Sequence, residues 1–232
     1  MEKIILPLWR PAENSADDFR DALLTLASTV LSDLPGIRAG RLAVVDTAVT
    51  PAESKRMASS GELPAAMLSL WLDAVTGLDA VLQALRPAVT RIEAYLVTES
   101  EQIVNTATAD SDGRVPGFCQ VVFLRRPDRL SEAEWLSIWQ DSHTEVAIST
   151  QSTFGYRQNL IVRPLTETSE PHSAMIEENF PVEAMTSDHA FYAAQDDATL
   201  QANMQAMLES CARFIDFDRI DVIPMSEYLL EL

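Results

Sequence analysis

Arg10-Pro11, Ser15 and Phe19 recur as Arg126-Pro127, Ser131 and Trp135 at identical spacing. In each copy the proline ends a strand, the hydroxyl caps the following helix, and the aromatic residue one turn in packs on the sheet. Arg91-Ile92-Glu93 is echoed in the same way by Arg219-Ile220-Asp221. These echoes fall in the same order along two like successions of elements, so they constrain the chain to a duplicated fold.

The first succession opens with a strand over 3–9 and a helix over 15–34, where Asp17 and Asp18 complement the helix dipole. A strand over 37–50 follows Pro35-Gly36, and then a polar connection over 50–61. The apolar run around Trp71 reads as a strand over 67–74, with a helix as the alternative because its alternation is poor. A helix over 76–85 and a strand over 92–97 complete the unit. Residues 98–116 have the composition of a linker. The second succession has a strand over 118–124, a helix over 131–149 and a strand over 156–162. A polar excursion over 163–178 precedes a strand over 180–186, a helical region over 187–214 and a strand over 220–223.

Both halves therefore read β-α-β-β-α-β, dividing the chain into units 1–105 and 106–232. Such a unit makes a four-stranded antiparallel sheet with both helices on one face, and the other face needs a cover. A second copy supplies it. The expected class is α+β, with two tandem ferredoxin-like units packed sheet to sheet as an intramolecular dimeric α+β barrel. Two such pseudo-dimers pairing further into a homodimer is consistent with this layout.

Charge and composition narrow the partners. The 35 Asp and Glu against 17 Lys and Arg give a formal net charge of -18, which repels a phosphate backbone and argues against nucleic acid. No stretch approaches the ~20 apolar residues of a membrane span, and Pro7 interrupts the amino-terminal apolar run too early for a signal peptide. The 2 cysteines, Cys119 and Cys211, lack paired spacing and fit a reducing cytoplasm. His143, His172 and His189 have no metal-ligand spacing. With 7 glycines and no GxGxxG or Walker-type loop, a nucleotide site has little material. The expectation is no metal and no cofactor.

Within the second half, Phe118-Cys119-Gln120-Val121-Val122-Phe123-Leu124-Arg125-Arg126-Pro127 leads into Ser131-Glu132-Ala133-Glu134-Trp135 and Trp139-Gln140-Asp141-Ser142-His143. The strand Tyr156-Arg157-Gln158-Asn159 and the ending Glu209-Ser210-Cys211-Ala212-Arg213-Phe214-Ile215-Asp216, running on to Ser226-Glu227-Tyr228, complete the pattern. Together these stretches resemble the EthD family over nearly the whole second half, whereas the first half is similar only in layout. The resemblance implies the dimeric α+β barrel. Its wider superfamily includes cofactor-independent monooxygenases of polyketides, lactone isomerases, dehydratases, decarboxylases and haem enzymes. Fold membership alone does not select among these reactions.

His143 is the family's histidine, and an imidazole in a pocket between sheet and helices serves as general acid or base. The bland reading is a core histidine bonded to backbone. Trp135 and Trp139, at helical spacing from His143, offer flat walls to an aromatic ligand or simply pack the core. Tyr156 and Asn159 either orient a substrate carbonyl or phenolate or make cross-strand hydrogen bonds. Haem ligation lies within what the resemblance implies, but one histidine beside tryptophans does not identify it. The matching position in the first half is Ala27, so one site per chain is expected. The reading is an enzyme of small-molecule catabolism or secondary metabolism acting on an apolar, aromatic or polyketide-like compound. Its alternative is a non-catalytic binding or accessory protein of the same fold.

Overall fold

The two Arg-Pro starts fold alike. In the computed structural model, which describes residues 1–59, 61–168 and 171–232, Ser15 Oγ accepts from the Asp18 N–H at 3.1 Å and caps α1 (Ala16–Thr29). Ser131 caps α3 (Glu132–Leu136) with a full capping box, accepting from the Glu134 N–H at 3.3 Å while Glu134 accepts from the Ser131 N–H at 2.9 Å. The arginines repeat as well: Arg10 donates to the Asn14 carbonyl and Arg126 to the Leu130 carbonyl. Phe19 and Trp135, one turn into each helix, are buried.

The strands are β1 (Glu2–Trp9), β2 (Ile37–Val44), β3 (Ala66–Leu72), β4 (Arg91–Ile92), β5 (Tyr95–Ile103), β6 (Phe118–Leu124), β7 (Gly155–Pro164), β8 (Ala174–Phe180) and β9 (Asp221–Leu230). The remaining helices are α2 (Leu78–Leu85), α4 (Thr144–Thr150), α5 (Asp188–Phe191) and α6 (Asp197–Ala212). Among the described residues, eight strands close into an antiparallel barrel in the order β1-β3-β2-β9-β6-β8-β7-β5, with β4 adding a short pairing to β1. The early strands run β2-β3-β1-β5 and the late ones β7-β8-β6-β9, and the two runs join through β2–β9 and β5–β7. The expected arrangement of sheet packed against sheet is thus corrected to one continuous sheet joined at its edges. A four-stranded sheet leaves two rows of unpaired N–H and C=O groups, and edge pairing satisfies both at once.

The pleat then sorts side chains into barrel interior and outer face. Outward, α1 and α2 bury Phe19, Leu23, Val81 and Leu82 against Ile4, Leu6, Leu68 and Leu70. On the late strands Trp135, Trp139 and Phe214 cover Val122 and Ile176. Inward, Met67, Tyr95, Val121, Phe123 and Met175 make an apolar layer. Beside it lies a buried ionic cluster. Lys3 Nζ donates to Asn159 Oδ1 at 2.8 Å, to Glu177 Oε2 at 3.1 Å and also to Glu99. Arg157 donates to Glu227 at 2.6 Å and to Asn179 at 3.1 Å. Trp71 takes Lys3 and Arg41 over its ring, each 4.8 Å from the centroid.

Several boundaries differ from the sequence reading. The linker expected over 98–116 begins later, because β5 continues to Ile103 and turns Glu99 inward to Lys3. The polar excursion over 163–178, of which 169 and 170 lie outside the described residues, contains most of β8. Glu177 and Glu178 are buried there, one on each face of the sheet, so a real strand looked polar. The strand expected over 180–186 accordingly ends at Phe180. The helix expected over 15–34 stops at Thr29, and the apolar run around Trp71 is a strand. The helix over 131–149 is interrupted by a π-helical turn, Ser137–His143, between α3 and α4.

The ionic cluster sets one expectation. Burial raises the Glu177 pKa, but Lys3, Arg157 and Arg41 outweigh it and hold the carboxyl well below its ordinary value. A depressed folded pKa stabilises fully above the ordinary carboxylate range and is lost as pH falls below it. Arg157→Met leaves Glu177 and Glu227 undercompensated and is expected to cost about 3–5 kcal/mol in urea unfolding at neutral pH, with a shallower loss of stability on acidification. A cost under about 1 kcal/mol contradicts this account of the barrel interior.

Candidate functional site

The outer face of the late strands carries an unusual row. Cross-strand register sets Tyr156 opposite Glu178 and Glu178 opposite Gln120, three polar residues side by side on a face that elsewhere packs helices. Above them α6 is held off the sheet: Ser210 is its only buried residue, and Met204 and Leu208 are 41% and 54% exposed. Between sheet and helix lies a cavity of about 460 Å³, within the range of small-molecule sites. Val122, Leu124, Ile176 and Val222 form its floor and Met207 and Phe214 its roof. Lys55, from the early half, stands at the wall paired with Asp188 at 3.1 Å and 4.4 Å from the Phe191 ring centroid.

His143 and Tyr156 both line this cavity. The π turn places His143: the Thr144 N–H reaches back to the Trp139 carbonyl, five residues away, widening the turn. One stripe through Trp135, Trp139 and His143 is thereby broken. The two tryptophans pair with each other at 5.0 Å between centroids, fully buried, whereas His143 packs tilted against Phe214, 4.6 Å between centroids, and lines the void. Neither Trp135 nor Trp139 is on the cavity wall, and Trp135 Nε1 donates to the Phe214 carbonyl at 3.1 Å. Asn159 is not there either. It points into the barrel, bonded to Lys3, Glu177 and the Met175 carbonyl, because it has the opposite pleat parity from Tyr156.

His143 Nδ1 lies 2.9 Å from Ser210 Oγ, and Arg213 donates to that same oxygen at 3.3 Å. Ser210 accepts from Arg213, and its hydroxyl donates to Nδ1 or accepts from it according to the imidazole tautomer. Burial, with the Arg213 charge, lowers the His143 pKa to about 4, so the ring is neutral at physiological pH. Burial pushes Glu178 up to about 7, opposed by a hydrogen bond from Gln120. Burial and the charge of Glu178 raise Tyr156 above its ordinary value, outweighing Gln158, Trp139 and Thr144, and it stays a phenol. Gln158 Nε2 donates to the Tyr156 hydroxyl at 3.0 Å and to Thr144 Oγ1 at 2.7 Å, which holds the ring in place. The wall thus combines a carboxyl that ionises near neutrality with a neutral imidazole. Among the described residues no group of three or more His, Cys, Asp or Glu is arranged to hold a metal ion.

Glu178, Gln120 and Gln151, which also lines the cavity, escaped the sequence reading. Glu178 was hidden in the stretch taken for a loop, although Met175, Glu177 and Asn179 alternate there with Ile176, Glu178 and Phe180. Gln120 was the visible signal, a single polar residue inside the otherwise apolar β6.

No family model matches the sequence, and no curated protein does. Solved structures do match in shape. An anthrone oxidase-like protein aligns over 99% of this chain and 91% of its own at 8% identity, with a TM-score of 0.56. A protein described as a "putative monooxygenase" from Fusobacterium nucleatum aligns over 99% and 92% at 7% identity, with a TM-score of 0.51. At such identities the likeness shows the fold alone, an eight-stranded antiparallel barrel with helices on its outer face. No helix among the described residues is long and apolar enough to cross a membrane.

The two titrating groups oppose each other. Glu178 has a folded pKa above its ordinary 4.5, so its contribution to stability is full in acid and is lost as pH rises through about 7. His143 has a folded pKa below its ordinary 6.5, so its contribution is full above that value and is lost as pH falls through about 4. Denaturation midpoints of Glu178→Gln should therefore rise with pH across this window relative to the wild type, and those of His143→Gln should fall. Variant profiles parallel to the wild type contradict these assignments.

Proposed function

We propose that the chain is an EthD-like enzyme of small-molecule metabolism that moves a proton to or from an apolar, aromatic or polyketide-like substrate in the Glu178–His143 cavity. The observation that carries this is Glu178, a carboxyl buried on an apolar wall with no cation bonded to it among the described residues and a pKa of about 7. About half ionised at neutral pH, it accepts a proton from an acidic C–H or a phenol. The anion so formed is met by a hydrogen bond from His143 Nε2 and, at the next strand, by the phenol of Tyr156. His143 thus acts chiefly as the hydrogen-bond donor of the pair. Neighbours named anthrone oxidase-like and monooxygenase support an oxidative fate for that anion, with dioxygen as the oxidant.

The same proposal takes residues 1–105 and 106–232 as tandem ferredoxin-like copies. The repeated Arg10–Asn14 and Arg126–Leu130 contacts and the matching strand orders support it. Ala27, buried in α1 at the position matching His143, makes the first copy scaffold. In this reading Trp135 and Trp139 support His143 from behind, and Asn159 supports the barrel.

A panel of phenols, anthrones and lactones tests the reaction. Wild type should turn over at least one, with kcat rising as pH passes about 7. Glu178→Gln should lower kcat by roughly 10²- to 10⁴-fold while ligand binding persists, and His143→Gln should lower kcat with the same pH midpoint. Retained activity in Glu178→Gln contradicts the mechanism. Tight binding without turnover by wild type supports instead a carrier or accessory protein, the reading favoured by the apolar wall alone.

A further inference from the structure

The polar groups on the cavity wall are nearly all engaged or sealed off. His143 is bonded to Ser210, Tyr156 to Gln158, and Lys55 to Asp188, Gln120 is hydrogen-bonded to Glu178, and the unpaired Gln151 Oε1 is fully enclosed by protein. Tyr192 is different. It lines the cavity half-buried, and among the described residues only its backbone makes hydrogen bonds. Its phenol oxygen is unpaired without being enclosed, so a group in the cavity can reach it. Burial raises its pKa, and the charges of Asp188 and Cys211 add to this, so the phenol stays protonated. The same causes locate the hydroxyl: it is drawn out of bulk water and lies within electrostatic reach of Cys211, which lines the cavity from α6.

Everything about Tyr192 except the hydroxyl is fixed. Its N–H donates to the Asp188 carbonyl at 2.8 Å, and its carbonyl accepts from Asn203 Nδ2 of α6 at 2.7 Å. Its ring meets Phe191 edge-on, with centroids 5.1 Å apart and planes at 77°. Ala193, the next residue, has a φ of 50°, a left-handed conformation that is strained for a residue with a Cβ. The chain thus keeps a strained turn directly after a tyrosine whose donor it leaves unused. A desolvated donor without an acceptor is unfavourable, and a ligand that brings one relieves that cost.

We infer that Tyr192 is a specificity-determining residue whose phenol donates a hydrogen bond to a carbonyl oxygen on the bound ligand. This rests on the reading of the cavity as a ligand site, and it deepens that reading by naming the ligand's acceptor. The substrate class is an apolar ring system carrying a neutral ketone. A carboxylate in the same place would meet the charges of Asp188 and Glu178, both on the cavity wall, whereas a ketone takes the donor without that repulsion. A methylene in place of the carbonyl leaves the phenol unpaired, and discrimination of this kind exceeds what apolar contacts give.

The test titrates 1-tetralone and its methylene analogue tetralin into the full chain by isothermal titration calorimetry, beside thermal unfolding without ligand. Tyr192→Phe removes the hydroxyl and keeps the ring. It should weaken 1-tetralone about 5- to 10-fold and leave tetralin within about 2-fold, a comparison in which the probes' own hydration cancels. The unfolding midpoint should be unchanged, because the hydroxyl has no partner in the protein to lose. The infrared carbonyl stretch of bound 1-tetralone should lie at higher frequency in the variant than in wild type, the sign of a lost donor. Equal weakening of both probes, unchanged affinity for 1-tetralone, an unmoved carbonyl stretch, a lowered unfolding midpoint or binding of tetralin alone by wild type would each overturn the assignment while leaving the cavity as a ligand site. Binding of neither probe by wild type overturns the cavity reading and this assignment with it.

Discussion

Edge closure is the constraint on which the rest depends. Two four-stranded runs leave four open edges, and the β2–β9 and β5–β7 ladders remove all of them by bending the strands into one barrel. Closure forces every inward side chain into a shared space. Three cations, Lys3, Arg41 and Arg157, meet three carboxylates, Glu99, Glu177 and Glu227, across that space, so the buried charges balance. Buried ion pairs are weak evidence of net stability, but breaking one is costly, and this cluster therefore fixes the register of strands from both halves against one another.

That register is what builds the site on the other side of the wall. With β8 locked by Glu177 on the inside, Glu178 must face outward, between Gln120 and Tyr156. The same parity takes Asn159 to the interior and leaves Tyr156 on the cavity. Two adjacent glutamates thus meet opposite fates. Glu177 is held ionised by three cations, and Glu178 is raised toward neutrality by its apolar surroundings against the pull of a single amide, Gln120. The π turn adds the complementary group by rotating His143 away from the tryptophans and onto Ser210 and Phe214.

Much of the element order was legible. The Arg-Pro, Ser and aromatic spacing located both first helices, and alternation located most strands to within a few residues. What remained hidden was polar yet buried. Glu99, Glu177 and Glu178 made β5 and β8 resemble linker and loop, because a sequence shows the charge of a residue and not the partner that neutralises it. The stretch from Trp139 to His143 runs along the cavity's edge, but one extra residue in a turn left His143 on the wall and Trp139 off it, and no periodicity argument over an ideal helix contains that step. Gln120 was readable in principle; Gln151, at the end of a helix among threonines and serines, was not.

The proposed chemistry rests on a buried carboxyl that titrates near neutrality, and Glu178 is that carboxyl. The direct measurement is a carboxyl ¹³C NMR titration with selectively labelled glutamate, Glu178 being assigned by the signal lost in Glu178→Gln. The account predicts a midpoint of about 7. A midpoint in the ordinary carboxylate range, about 4.3, would mean that Glu178 is solvated or paired and would contradict the proposed chemistry.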